Sequence, residues 1–254
     1  MILDTMERKA LVVEIAKTNE EIREAQRLRH LVLTQEYGAY QAADEEPIDR
    51  DHFDPFCDHL IVRDAERALI VGTYRILTSI QARNAGGFYS QTEFDLSSLM
   101  PLCPRLVEVG RLCIHPEYRH GAVLALLWAG LSRYAMLRGF TYLMGCASIS
   151  TKDGGGTART VYQHLQRTCL SPEEWRVVPY EPFPVESSTE SGKKTLPPLV
   201  NGCIRAGAYI CGKPAWDQKF NSADLLMLLP LSRLESRYAR HFFGRSMIGQ
   251  RIAA

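Results

Sequence analysis

One segment constrains the fold more than any other. Residues Glu108 to Trp128 read EVGRLCIHPEYRHGAVLALLW, a strand that passes through a tight turn directly into a helix predicted over 120–138. That helix carries Val123, Leu124, Leu126, Leu127, Trp128, Leu131, Tyr134 and Leu137, so it is apolar over much of its circumference instead of along one stripe. Such a helix is a core element packed on more than one side.

The surrounding pattern supplies what packs on it. Thr18-Asn19-Glu20-Glu21 has the form of a capping box, and Ile22, Ala25, Leu28, Val32 and Leu33 follow at helical spacing, predicting a helix over 19–36. HLIVRD and ALIVGTYRILTSI read as two strands, and Asn84-Ala-Gly-Gly breaks the chain after them. Strands are predicted at 106–114 and 142–147, a helix at 156–168, another strand in ADLLMLLPL and a basic terminal helix over 233–243. This order gives an α/β (α+β) fold with a mixed, mostly antiparallel central sheet flanked by helices. A core over 1–180, a flexible insertion at 181–198 and a C-terminal extension over 199–254 that completes the same domain are expected.

Composition removes several classes of function. The net charge of +1 gives no reason to expect nucleic acid as a partner. No stretch approaches the roughly 18 to 20 apolar residues of a membrane span, and MILDTMERKALVVEI has acids where a signal peptide is basic. The 7 cysteines form no C-x-x-C pair, and their odd number leaves at least one without an intramolecular partner, which fits a reducing cytoplasm. Charge is nonetheless uneven. Seven acids from Asp44 to Asp58 face Arg50 alone, and five arginines in 232–254 face Glu235 alone. The first stretch suits a cationic small molecule. The second suits an acidic protein or an anionic membrane surface at its periphery, or is an ordinary cationic helix.

In the opening segment, a strand that ends in a turn and starts a helix leaves backbone N–H groups pointing at one spot. With Arg119, His120, Gly121 and Ala122 there, the turn can cradle a phosphate. This unit resembles the acyl-donor site of the GCN5-related N-acyltransferase superfamily, which implies that Arg111, Leu112, Ile114 and the turn hold the donor. The usual Arg/Gln-x-x-Gly-x-Gly/Ala motif is reduced here: Arg119 lies two residues before Gly121 and one glycine is missing. A reduced cradle favours the single phosphate of phosphopantetheine on acyl carrier protein over coenzyme A, with no permanently bound cofactor and no metal.

Arg29, Asp51, Asp54, Arg75, Glu108 and Arg111 resemble the spaced polar set of acyl-homoserine lactone synthases and N-acyl amino acid synthases. EVGRLCIHPEYRHGAVLALLW, YLMGCASI, PPLVNGCIRAGAYICGKPAWDQKFNSADLLMLLPL and RYARHFF are similar to the ornithine N-acyltransferases of ornithine lipid synthesis, often labelled hemolysin-like. The resemblance implies transfer of a 3-hydroxyacyl group from acyl carrier protein to the α-amine of L-ornithine. Other acceptors, such as glycine, lysine or glutamine, and a non-enzymatic membrane-interacting role are the alternatives.

That chemistry needs a base for the ammonium and donors for the thioester oxygen. Glu108 is the first candidate base, its alternative being an internal pair with Arg111 or Arg75; His115 is the second. The backbone N–H of Leu112 is the oxyanion candidate. Tyr162 lies where related acetyltransferases place a general acid, and is equally a packing residue. For the acceptor, Arg29 or Arg75 suits the carboxylate, and Asp51, Asp54 and Asp224 suit the side-chain ammonium.

Overall fold

A computed structural model describes residues 11–38, 46–185 and 195–234. Its sheet runs β1 (Leu11–Ile15), β2 (Asp58–Asp64), β3 (Leu69–Thr78), β5 (Leu106–Ile114), β6 (Tyr142–Ser150), β10 (Ser222–Pro230) and β8 (Tyr209–Ile210), with β9 (Ala215–Asp217) also on β10. The short β4 (Phe94–Asp95) and β7 (Val178–Pro179) pair separately. All neighbours are antiparallel except β5 and β6.

Three of the four predicted helices form among the described residues. The capping box starts α1 (Asn19–Tyr37), which buries Ala25, Leu28 and Val32 against Ile61, Ile70 and Cys113. The core helix is α3 (Ala122–Leu137), and α4 spans Gly156–Thr168. Three boundaries differ from the sequence reading. Ser79 and Ile80 start a short helix, α2 (Ser79–Asn84), because Thr78 caps it through the Gln81 N–H. β6 runs to Ser150, since β10 pairs with it along its whole length. Pro198 opens α5 (Pro198–Ala206) instead of closing a flexible insertion. The predicted terminal helix lies outside the described residues, beyond Leu234. Among the described residues, no helix is long and apolar enough to cross a membrane.

Strand alternation sorts side chains onto two faces. On one, Tyr74, Ile76, Val107 and Val109 meet Leu127 and Leu131 of α3. Ala147, Ile149, Leu225 and Met227 continue that face under α4 and α5. On the other, Leu77, Leu106, Met144, Leu226 and Leu228 pack with the segments around Phe88, Phe94 and Leu99.

The β5–β6 ladder is brief. It pairs Leu106–Glu108 with Tyr142–Met144 and then stops, so the two strands diverge. Gly145 sits where they part: a Cβ there would come 2.2 Å from the carbonyl oxygen of Val109, closer than any real contact. Gly145→Ala is expected to force the strands apart and destabilise the protein by about 1–3 kcal/mol, read as a lower urea midpoint with an unchanged m-value.

Candidate active site

The divergence of β5 and β6 opens a cavity of about 540 Å³. Its lining comes from both faces of the sheet. Arg75, Glu108, Arg111, Cys146 and Asp224 border one end, and Tyr74, Trp128, Leu131, Cys203 and Met227 border the other. The parted strands are therefore a window between a polar compartment and an apolar one.

Glu108 stands at that window. Its Oε1 accepts from the Ser90 N–H at 2.8 Å and the Ser90 hydroxyl at 2.5 Å, and its Oε2 accepts from the Tyr89 N–H at 2.6 Å. Burial pushes its carboxyl above the usual range, while these three donors pull it down. Among the described residues Glu108 forms no ion pair with Arg111 or Arg75, so the tether is the backbone of 89–90 and not an arginine. An ionised carboxylate has about four acceptor positions, and three are filled.

Beside it lies a closed ring of alternating charges. Arg29 binds Asp49 and Asp54 at 2.6 Å each, Arg75 binds Asp54 at 3.3 Å and Asp51 at 2.7 Å, and Arg111 binds Asp51 at 3.1 Å and Asp49 at 3.2 Å. Three positive and three negative groups balance, which is what allows charges to be buried at all. The ring ties α1, the 46–57 loop, β3 and β5 together. It also anchors a bulge on β5, where Thr73 pairs with Cys113 but Arg75 with Gly110. Arg111 occupies the bulge at φ +54, a conformation few side chains adopt. Its guanidinium lies 4.9 Å from the Tyr89 ring centre and 5.3 Å from that of Phe220.

The far side of the polar compartment is acidic. Asp224 on β10 faces Ser148 on β6 and accepts from it at 3.1 Å, and from Ser222 at 2.7 Å. Donor atoms of Glu93, Cys146 and Asp224 all lie within 4.8 Å of one another. Burial and the neighbouring acids, Asp217 among them, push Glu93 to about 9 and Asp224 to about 6. The spacing is also one at which a metal could be held, but burial keeps the Cys146 thiol protonated, which disfavours thiolate ligation.

At the cavity mouth, α3 begins after Gly121 at φ +96 with no side-chain cap, so its first N–H groups have no such acceptor. Arg119, Gly121 and Leu124 border the mouth.

Residues 28–129 match the acetyltransferase (GNAT) domain family. The L-ornithine N(alpha)-acyltransferase of Brucella abortus (strain 2308) is 35% identical over 250 residues, covering 92% of this chain and 89% of that protein. That of Rhodobacter capsulatus is 30% identical, covering 94% and 96%. The chain belongs to the L-ornithine N(alpha)-acyltransferase family. Its fold is shared with the CoA-dependent acyl-homoserine lactone synthase MesI at a TM-score of 0.55 and 12% identity, over 92% of this chain and 96% of that one. The AHL synthase LasI aligns at 0.52 and 13%, over 96% and 100%.

Within this family member, the expected site residues divide. Glu108, Arg75, Arg111, Asp224, Leu112, Ile114, Arg119 and Gly121 all border the cavity. His120 and Ala122 flank Gly121 without lining it. Arg29 and Asp54 depart from the expectation that they touch substrate: they are 0% and 3% exposed and committed to each other, because the ring consumes their charge. Asp51 is likewise held by Arg75 and Arg111. His115 lies apart from this group. Its Nδ1 accepts from the Glu117 N–H and its ring packs on Tyr118, away from the cavity. Tyr162 is buried among Ala147, Ile149 and Leu225 and does not line the cavity, which places it as a packing residue in this structure. Sequence reasoning missed Tyr89, Ser90, Glu93, Cys146 and Asp217. They lie in irregular segments or at strand positions whose polarity carries no periodic signal.

Proposed function

We propose that this protein transfers a 3-hydroxyacyl group from the phosphopantetheine of acyl carrier protein to the α-amine of L-ornithine, giving lyso-ornithine lipid. One observation carries the reading: an acid-rich compartment suited to a dicationic amino acid and an apolar compartment suited to an acyl chain meet at Glu108. The named activity of the relatives agrees with it.

In this reading the acyl thioester enters at the mouth, its phosphate beside Arg119 and the start of α3. The acyl chain lies in the apolar compartment. Ornithine's side-chain ammonium sits among Glu93, Asp217 and Asp224. Its carboxylate meets Arg75, whose two bonds in the ring both leave from Nη1 and so leave Nη2 to bind. Glu108 Oε2 takes a proton from the α-ammonium. The freed amine attacks the thioester carbon, whose oxygen is met by unladdered backbone N–H groups of β5 near Leu112. The C–N bond forms and the C–S bond breaks; the second proton of the attacking nitrogen passes through solvent at the mouth to the departing thiolate, and Glu108 returns its own proton to water once the product has left. Docking of the acidic carrier protein and contact with the membrane periphery belong to the same proposal.

Mass spectrometry of the protein incubated with 3-hydroxyacyl carrier protein and a panel of amino acids tests it. Selective N-(3-hydroxyacyl)ornithine supports the reading, and selective acylation of a neutral amino acid overturns the acceptor assignment.

The acidic compartment adds a pH dependence. Carboxyls near 6 and 9 become anionic as pH rises, and a bound ammonium favours the anions. The KM for ornithine is expected to fall between pH 6 and 9, and Asp224→Asn to raise it by roughly tenfold or more at pH 8, as loss of a hydrogen bond to a charged group does. Initial rates across that range, with glutamine as the uncharged comparison, check both.

A further inference from the structure

The apolar compartment contains a polar group that no described residue satisfies. Tyr74 borders the cavity and is 7% exposed, packed with Leu127 and Leu131 below α3. Among the described residues its hydroxyl makes no hydrogen bond. Burial raises its pKa, with Cys203 of α5 nearby, so the phenol stays a neutral O–H. The hydroxyl opens onto the cavity, so an acyl chain seated there takes it out of water and must either supply a hydrogen-bond partner or leave it unmet.

Its place fixes which part of a ligand it meets. Tyr74 lies between Thr73, which pairs with Cys113, and Arg75, which pairs with Gly110, so it stands opposite the β5 bulge. That is beside the window where the thioester reacts, on the acyl side of the sheet.

We propose that the Tyr74 hydroxyl selects the acyl donor by hydrogen-bonding a polar substituent, hydroxyl or keto, carried on the acyl chain close to its thioester end. This rests on the reading that the donor is an acyl thioester seated in the apolar compartment, and adds the residue that discriminates among such donors. A site built around a hydrogen-bonding group rejects an analogue lacking its partner, because the buried group is then left unpaired.

The test compares kcat/KM for three carrier-protein donors of one chain length, unsubstituted, 3-hydroxy and 3-oxo, with ornithine as the fixed acceptor. The wild type should favour at least one substituted donor over the unsubstituted one by about tenfold. The two substituted arms separate a hydroxyl partner from a keto one. Tyr74→Phe should bring that ratio to within about twofold by losing rate on the substituted donor alone. Its Tm should be unchanged or higher, since no bond within the protein is lost. A preference that survives in Tyr74→Phe overturns the proposal, as does a lowered Tm with equal losses on all donors. Equal rates on all three donors in the wild type sink this inference alone. Absence of amide product from every donor sinks the parent reading with it.

Discussion

Glu108→Gln is expected to lower kcat/KM by about 10²–10⁴-fold, the range that a positioned general base contributes. The size follows from the window between the two compartments. Glu108 is the carboxylate placed where the acidic and apolar halves of the cavity meet, and its tether leaves one acceptor position on Oε2. Burial raises its pKa and so its appetite for the ammonium proton, and the Tyr89 and Ser90 donors keep it from rising so far that it stays protonated.

Glutamine keeps the shape but not the chemistry. Its amide oxygen can still accept from Ser90, whereas its NH₂ group would face the Tyr89 N–H, donor against donor. Some loss of stability is therefore expected, on the order of 1–3 kcal/mol. A pH profile separates the two effects. In the wild type, the acidic limb of kcat at saturating ornithine should lie above the ordinary carboxylate range, and in Glu108→Gln that limb should vanish while the pH dependence of KM remains. Turnover near the wild-type value in the glutamine variant would remove Glu108 as the base and leave it a tether for residues 89–90.

How much of this was legible in the chain depends on whether a residue's role is written in local pattern or in long-range register. Strand 106–114 and the core helix were readable because apolar periodicity and the Gly121 turn are local signals. Arg75, Glu108 and Arg111 were singled out by their resemblance to the polar set of related synthases, and Asp224 by its place at the start of an apolar strand, and all four border the cavity. Asp224 was placed by Ser148 opposite it on β6, a pairing that no spacing announces. The acidic loop misled for a definite reason. Its excess of carboxylates suggested a free anionic surface, but Asp49, Asp51 and Asp54 are neutralised by arginines from α1, β3 and β5. The acids left to meet a cation, Glu93 and Asp217, come from segments separated by more than a hundred residues and converge only when β10 pairs with β6.

The ring itself supplies the second large effect. Arg29→Ala is expected to destabilise the protein by about 3–5 kcal/mol, the cost of leaving buried charges without a partner. Arg29 is 0% exposed, and its Nε, Nη1 and Nη2 all donate to Asp49 or Asp54. Arg29→Lys should recover only part of the loss, because an ammonium cannot reproduce that fork. The sign of the pH dependence is fixed by Asp54. Its carboxyl, with Arg29 as the leading lowering partner against burial, is held well below its ordinary value of 3.8. A depressed carboxyl gives stability that is present above that ordinary value and is lost as pH falls through the folded one. In Arg29→Ala the carboxyl is no longer held down by its main partner and protonates at a higher pH, which relieves the unpaired charge. The difference in unfolding free energy between wild type and Arg29→Ala should therefore be largest near neutrality and shrink toward pH 4. Urea denaturation at the two pH values measures this. A pH-independent difference would mean that lost packing around the guanidinium, and not the ring's charge balance, holds α1 and the loop against β3 and β5. Activity provides the link to function: once Asp49 and Asp54 repel each other, Arg111 loses its anchor at the bulge, so transfer should fall even below the temperature at which the variant unfolds.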